Sequence, residues 1–600
     1  MYNALRRVQA VNINTKVDDL NRLLIGFNEA KTPIVLDLET TGLSPHKDKI
    51  LDCALMQLGS DNVYFLSEEQ IPLLSGLKCP LIGQNFKFDL HMLYRAGVDL
   101  RDQWYADTML LDHLLDENQE HGLDAIIQRR YQDTYKEVFW SKYDNYADAP
   151  KEEQIAYNAK DVVYTGRVYQ DITQDLLATG IPQSLILHVH KLAKVLLNTE
   201  IAGLKLDLEY LRKIAEDLTT KIRNATQEMR LGVENQVEQI ELESWMTELD
   251  KRTTPKGKAG VKRPEFNWNS GAQLKTLIYS KLKLPTQFTK ARKPTLDDAA
   301  LENIETRHPL IPKLREYRGN QKVYTAFIEA SLERMVGGRI YPSFNVNGTV
   351  TGRLSASNPN LQQLPREGGV RGIYVPDTGY KFVSLDFSQL EIVIAAHFSQ
   401  DPALLSIVLE GKNQHDITAQ ALGIDRGLAK IINFAILYGA GVNKIKSTLN
   451  CNDAHAQKML DLYWKTYSGL YKWVQECHLK VEKGQYLENP YGRRRHFPTT
   501  FEDKWALERA KRQAANSVIQ STGSDITSES AYLVDTELKK LGIGHLVLTV
   551  HDELLIAAKE NACAEATLVA KSIMEDAGKR AGLTVPLIAE ASEPKDRWTK

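Results

Sequence analysis

Apolar positions along the chain fall into two α/β-like stretches separated by helical sequence. Residues 34–38 (IVLDL) form a β-rich apolar run directly after Pro33, and strand-like and helix-like patterns alternate from there to about residue 175. That alternation predicts a compact α/β unit. Residues 185–235 predict long helices with charged faces. A second α/β stretch runs from about 340 to the end, interrupted by helices between roughly 392 and 512. Within it, KFVSLDF (381–387) predicts a strand and LEIVIAAHF (390–398) the start of a helix. HLVLTV and LLIAA (545–550 and 554–558) predict two strands around a tight turn made of His551, Asp552 and Glu553. In DRGLAKIINFAILYGAG (425–441), Arg426, Lys430, Phe434 and Tyr438 recur every four residues, one slowly drifting stripe on a helix.

Composition narrows this picture only a little. A chain of 600 residues is too long for one core, so several domains are expected. The 43% apolar and 25% charged content is that of an ordinary globular protein. The 75 basic and 77 acidic residues leave a net charge of −2, which does not by itself suggest a nucleic-acid partner. A near-neutral sum can still hide a basic channel beside acidic metal sites. Five scattered cysteines without a Cys-x-x-Cys pair indicate neither a disulfide framework nor a zinc site, and fit a reducing compartment. No signal peptide and no membrane span are read, which makes the cytoplasm of a host or infected cell the expected location. Residues 251–263 (KRTTPKGKAGVKR) carry six basic residues and no acid; a solvated linker and a phosphate-contacting loop both fit.

The chemistry lies in two sets of carboxylates. Asp37 and Glu39 sit two apart on a predicted strand and so share a face. Asp89 follows in NFKFD (85–89), and Tyr157 and Asp161 lie four apart in a helical segment. Adjacent carboxylates repel unless a cation lies between them. Four acids and a phenol could hold two hard cations and orient a water against a phosphodiester. Taken singly, each acid reads as a cap or turn residue and Tyr157 as a core residue. In the second half, Asp386 ends a predicted strand and Asp552 sits at the tip of a predicted hairpin. Together they could clamp two magnesium ions for an in-line phosphoryl displacement. The Arg426–Tyr438 stripe offers charge for a triphosphate and rings for a sugar and base. Its plain alternative is two surface cations and two core aromatics.

Asp37-x-Glu39, Asp89 and Tyr157-x-x-x-Asp161 resemble the exonuclease motifs of the DEDD superfamily, in the proofreading form with tyrosine. DFSQLE (386–391), the Arg426–Gly439 pattern and VHDE (550–553) resemble motifs A, B and C of family A DNA polymerases. TGRLSASNPNLQQLP (351–365), GKNQHD (411–416), YGRRRHFP (491–498), NSVIQSTGSD (516–525) and FNWNSGAQL (266–274) look like further family segments. The resemblance covers nearly the whole chain. It implies a ribonuclease H-like 3′→5′ exonuclease domain over 1–175. A right-hand polymerase then follows, with thumb and connecting helices over 176–345, palm over 346–391 and 513–600, and fingers over 392–512. Asp37, Glu39 and Asp161 are implied to hold one metal and Asp89 to help hold a second, with Tyr157 orienting the attacking water. Asp386, Asp552 and the Phe387 carbonyl are implied polymerase metal ligands, with Glu553 a nearby acid of lesser role. Lys430 is implied to contact the triphosphate and protonate the leaving pyrophosphate. Arg426 and His415 match phosphate contacts, and Glu391 the steric gate against a ribose 2′-hydroxyl. Phe434 implies discrimination against dideoxynucleotides, and Tyr438 stacks near the nascent pair. Arg353 and Gln520 match minor-groove probes, and Arg512, Asn516 and His551 further primer–template or active-site contacts. Each centre is implied to take two Mg2+ ions, with Mn2+ an alternative. Primer–template DNA and dNTPs are the implied partners of a monomer, joined by replisome proteins.

Some features set the chain apart within that family. There is no room before Asp37 for a 5′-nuclease domain. The short segment between Glu391 and Arg426, NGTVTGR and LYGAG look phage-like, which suggests viral, phage or organellar-type replication. The short basic loop near 251–263 stands where some phage relatives carry a clamp-binding insertion, which argues against a borrowed clamp. Thr549 stands where bacterial relatives often have Gln. A single-subunit RNA polymerase is disfavoured by Glu391, Phe434 and the exonuclease motifs. A ribonuclease D-type exonuclease is disfavoured by Asp386, Lys430 and Asp552, and an architectural DNA binder by the presence of two complete acid sets.

Overall fold

The computed structural model describes residues 9–12, 17–251, 261–289, 291–437 and 439–599. Most of the basic segment 251–263 therefore lies outside the described residues. The first α/β unit is a six-stranded mixed sheet. Its strand order is Gln9–Asn12, Asn62–Ser67, Ile50–Gln57, Ile34–Thr40, Leu81–Gly83, Trp104–Asp107. Ile34, Val35 and Leu36 are all buried, because the Ile34–Thr40 strand is central and covered on both faces. This is why its sequence reads as a continuous apolar run and not as an alternation. The Lys151–Thr179 helix packs across this sheet and stops at Gly180, whose φ of 72° ends it in the left-handed region.

The Gln183–Ala202 helix is the hinge-pin between the two halves. His190 Nε2 accepts the backbone N–H of Asp107 at 3.0 Å, at the edge of the first sheet. His188, on another face of the same helix, lies 3.2 Å from Asp525 on the Lys504–Leu541 helix. Leu208–Gly232, Glu234–Asp250 and Leu310–Val323 then form a helical unit with its own core, in which Met229, Val237, Trp268, Leu274 and Leu314 meet. Of the charged faces expected for 185–235, Leu208–Gly232 carries one, whereas Gln183–Ala202 is largely buried between the halves.

The second sheet is antiparallel throughout, with order Gly544–Val550, Glu553–Lys559, Tyr380–Phe387, Ala589–Ala591. The helices Lys504–Leu541 and Cys563–Arg580 pack on it. Helices from Leu390–Ser399 to Ser468–Glu482 fill the interval between its strands. The chain thus joins an α/β unit to an α+β unit. The hairpin expected at 545–558 forms, and His551 at its turn has φ 57°.

Polar contacts also join the two halves directly. Lys87 pairs with Glu200 and donates to the Phe344 carbonyl. Glu117 accepts from Arg495 at 2.6 Å and from the His496 N–H at 2.7 Å.

Candidate active sites

In the first unit, Asp37 and Glu39 project from the central Ile34–Thr40 strand, and Asp161 comes from the Lys151–Thr179 helix that crosses it. One carboxylate oxygen from each lies within 4.8 Å of the other two. Burial first, then the neighbouring carboxylates, push Asp37 and Glu39 well above the usual carboxylate range. Asp89, on the Phe86–Arg95 helix, stands to one side and accepts the Leu38 N–H at 3.2 Å. Burial and the Asp37 charge raise it as well. All four acids and Tyr157 are thus brought to one place.

The short helix Tyr135–Trp140 covers this cluster and supplies residues that the sequence did not flag. Lys136 Nζ lies 2.7 Å from Asp161 and 3.0 Å from the Tyr157 hydroxyl. Tyr135 donates to Asp161. Trp140 Nε1–H donates to the Tyr157 oxygen at 3.1 Å. A phenol oxygen accepting from both Lys136 and Trp140 has its lone pairs engaged, so its own proton is directed outward as a donor. A lysine next to a tyrosine in an amphipathic segment is too common to signal this role in a sequence.

The second site is an open cavity of about 880 Å³ beside the end of the antiparallel sheet; Arg353, Glu391, His415, Arg426, Lys430 and Asp552 line it. Asp386 ends the Tyr380–Phe387 strand, and Asp552 is in the hairpin turn alongside. The Phe387 N–H donates to the Asp552 carbonyl at 3.3 Å and ties the two strand ends together. Burial, then the Asp386 charge, pushes Asp552 up to about 6. Glu553 is not brought to this cavity. It is 1% exposed, accepts from Ser384, and pairs with Arg371 at 3.3 Å. Asp552 lies in the turn, whereas Glu553 opens the strand directly across from Asp386 and is held there by Ser384 and Arg371.

Arg353 meets Glu391 at 2.7 Å. Arg426 and Lys430 share a face of the Arg426–Leu437 helix, where Arg426 pairs with Asp416 at 2.8 Å. His415 is 3.0 Å from Asn433 Nδ2, and Asn433 in turn is 2.8 Å from Thr418. Burial and the Arg426 and Lys430 charges lower His415. Asn433 also escaped the sequence reading, because an asparagine next to Phe434 carries no pattern. The Phe434 side chain and Tyr438 lie outside the described residues. Gly439, with φ 78°, packs directly on the Arg512 backbone. Arg512, Asn516 and Gln520 lie four apart on the Lys504–Leu541 helix, and Gly523, Ser524 and Thr527 of that helix line the cavity.

The model of DNA polymerase family A matches residues 216–600 of this chain. The chain belongs to DNA polymerase family A. In this family A chain, residues 9–177 also match the model of a 3′-5′ exonuclease domain. DNA polymerase I of Treponema pallidum (strain Nichols) is 29% identical over 530 residues, covering 84% of this chain and 50% of the relative. DNA polymerase I of Aquifex aeolicus (strain VF5) is 28% identical over 606 residues, covering 94% of this chain and 96% of the relative. The chain spans about half the length of the first of these. Both are bacterial and lend the phage-like expectation no support. Its fold is similar to the POL domain of Pol1 from M. smegmatis, solved in complex with DNA primer-template and dNTP. The TM-score is 0.81 at 21% identity, covering 98% of this chain and 99% of the other. No helix among the described residues is long and apolar enough to cross a membrane.

Proposed function

We propose that this chain extends a primer 3′ end on a DNA template with dNTPs and trims mispaired ends with a 3′→5′ exonuclease. The observation that carries the reading is the 880 Å³ cavity in which Asp552 faces Arg353, Glu391, His415, Arg426 and Lys430. An acid opposed by several cations and one gating carboxylate suits a nucleoside triphosphate. Both sites offer hard oxygens, and burial, then neighbouring carboxylates, raises the proton affinity of Asp37, Glu39 and Asp552, which fits Mg2+, with Mn2+ as an alternative. Asp386, Asp552 and the Phe387 carbonyl would hold it at the polymerase site, and Asp37, Glu39, Asp89 and Asp161 at the exonuclease site. Bound there, such ions supply Lewis-acid stabilisation of the attacking and leaving oxygens, two per site.

The chain's own groups do the rest. Lys430, Arg426 and His415 hold the triphosphate, and Lys430 supplies a proton to the leaving pyrophosphate. Glu391 leaves no room for a 2′-hydroxyl. Phe434 and Tyr438 flank the sugar and the nascent pair. Arg353 and Gln520 probe the minor groove, whose acceptors are common to correct pairs, and Arg512, Asn516 and His551 hold primer and template. Tyr157 donates a hydrogen bond to the attacking water. Glu553 serves as a brace with Arg371. The units correspond to exonuclease (1–175), thumb and connecting helices (176–345), palm (346–391 and 513–600) and fingers (392–512). The chain works as a monomer in the cytoplasm, with replisome proteins as its protein partners.

Extension of a mismatched primer with dNTPs and magnesium tests this. The intact chain should trim and then extend, Asp386→Ala should only trim, and Asp37→Ala should fail to trim. If the intact chain trims but never extends a matched primer, a nuclease reading replaces this one. Equal use of ribonucleotides would point to RNA synthesis instead.

A further inference from the structure

Arg353 reaches the cavity from the turn 349–353, which is held from several sides. Thr349 Oγ1 donates to the Arg353 carbonyl at 2.8 Å, and Ser524 Oγ donates to the Gly352 carbonyl at 2.7 Å. His113, from the exonuclease unit, lies 3.1 Å from the Thr349 carbonyl. Beneath the turn lies Arg493. Gly352 has φ 74°, and a Cβ there would come within 2.7 Å of the Arg493 guanidinium carbon. The guanidinium cannot easily retreat. Its Nε and Nη2 donate to the two Asp525 oxygens at 2.9 and 2.7 Å, and Asn489 Nδ2 donates to Asp525 at 2.7 Å. Arg493 and Asp525 are 7% and 1% exposed, and neither lines the cavity.

A bidentate arginine–carboxylate pair fixes a plane as well as a charge. Here that plane is pressed against the one residue of the turn that has no side chain. We propose that Arg493, pinned by Asp525, is a positioning residue of the second site: its guanidinium is the floor that sets the height of Gly352, and thereby where Arg353 meets Glu391. This rests on the polymerase reading of that site. The pair it positions is the one proposed to sense the minor groove and the sugar, so the quantity at stake is selectivity more than turnover. Displacement of a positioning group by about 1 Å can cost on the order of 10²-fold.

The floor can be disturbed from both sides in the full chain. Gly352→Ala presses on it from above and leaves the Arg493–Asp525 pair intact. Arg493→Lys keeps the buried charge but removes the plane. In each variant we would measure kcat and KM for a matched dNTP and its ribonucleotide, and trimming of a single-stranded oligonucleotide. Both variants should lose about tenfold in dNTP-over-ribonucleotide discrimination, mainly through KM, with trimming within about twofold of the parent. Unchanged discrimination in both would overturn the proposal. So would a parallel loss of trimming and extension in Gly352→Ala, which would make the pair a general brace of the core. Failure of the unaltered chain to extend any primer would instead remove the polymerase reading beneath it.

Discussion

The two acid clusters solve the same electrostatic problem in opposite ways. In the first, Asp37, Glu39 and Asp161 converge, and the fold itself supplies a cation, Lys136, to Asp161. In the second, Asp552, with Asp386 nearby, lines an open cavity that Arg426 and Lys430 line from another helix. The first site keeps an excess of acid, since Asp37, Glu39, Asp89 and Asp161 share Lys136. In the second, Arg353 is already paired with Glu391 and Arg426 with Asp416. Under the proposed function, a single-strand end brings one phosphodiester at a time to the first site, whereas a triphosphate brings several charges to the second.

The largest effects should separate the sites cleanly. Asp37→Asn should lower trimming on the order of 10³-fold or more with extension preserved, and Asp552→Asn should do the reverse. If either change depresses both activities, the sites are not independent and the contrast fails. Next comes the internal cation. Lys136→Met leaves the buried Asp161 with the Tyr135 hydroxyl but no counter-charge and should destabilise the metal-free protein by about 3–5 kcal/mol, read by denaturant melts. Added magnesium should recover part of that loss. The analogous Lys430→Met change should leave the melt within about 0.5 kcal/mol, because that cation faces an open cavity.

A smaller effect is set by pH. Asp552 is pushed up from 3.8 to about 6, so across that interval the folded protein holds a proton that the unfolded chain has released. Its contribution to stability therefore falls as pH rises from about 4 to 6 and is level above that. Protons should compete with magnesium over the same interval, so the magnesium concentration needed for half-maximal extension should rise about tenfold per pH unit below 6 and be flat above 7. A magnesium requirement independent of pH would mean that Asp552 does not bind the ion. The smallest expected change is Asn433→Ala, which removes one hydrogen bond at the His415 ring and should raise KM for dNTPs a few-fold with kcat little altered.

Much of this was legible in the sequence, for identifiable reasons. Asp37, Glu39, Asp386 and Asp552 are acids at the ends or centres of apolar strands, where an uncompensated charge is conspicuous. Tyr157 and Asp161 announce themselves by helical spacing. Lys136, Trp140, Asn433 and Arg493 do not, because their partners lie far away in sequence or are reached only through tertiary packing. The Arg493–Asp525 pair spans 32 residues and the Lys136–Asp161 pair 25. Glu553 shows the converse. Adjacent to Asp552 in sequence, it pairs across the sheet with Asp386 and bonds to Arg371 and Ser384, contacts set by strand register and not by sequence spacing.

Lys87 is two residues from Asp89, and it grips Glu200 and the Phe344 carbonyl in the segment that leads to Arg353. With Glu117 clasping Arg495 and His496, the catalytic stations are bolted to one frame. Under the proposed function, such a frame leaves the sorting of primer ends to the ends themselves. Each 1.4 kcal/mol by which a defective end is less firmly paired shifts its distribution between the stations about tenfold. On the proposed reading, that energetic weakness adds to the minor-groove check of Arg353 and Gln520 in routing an error to removal.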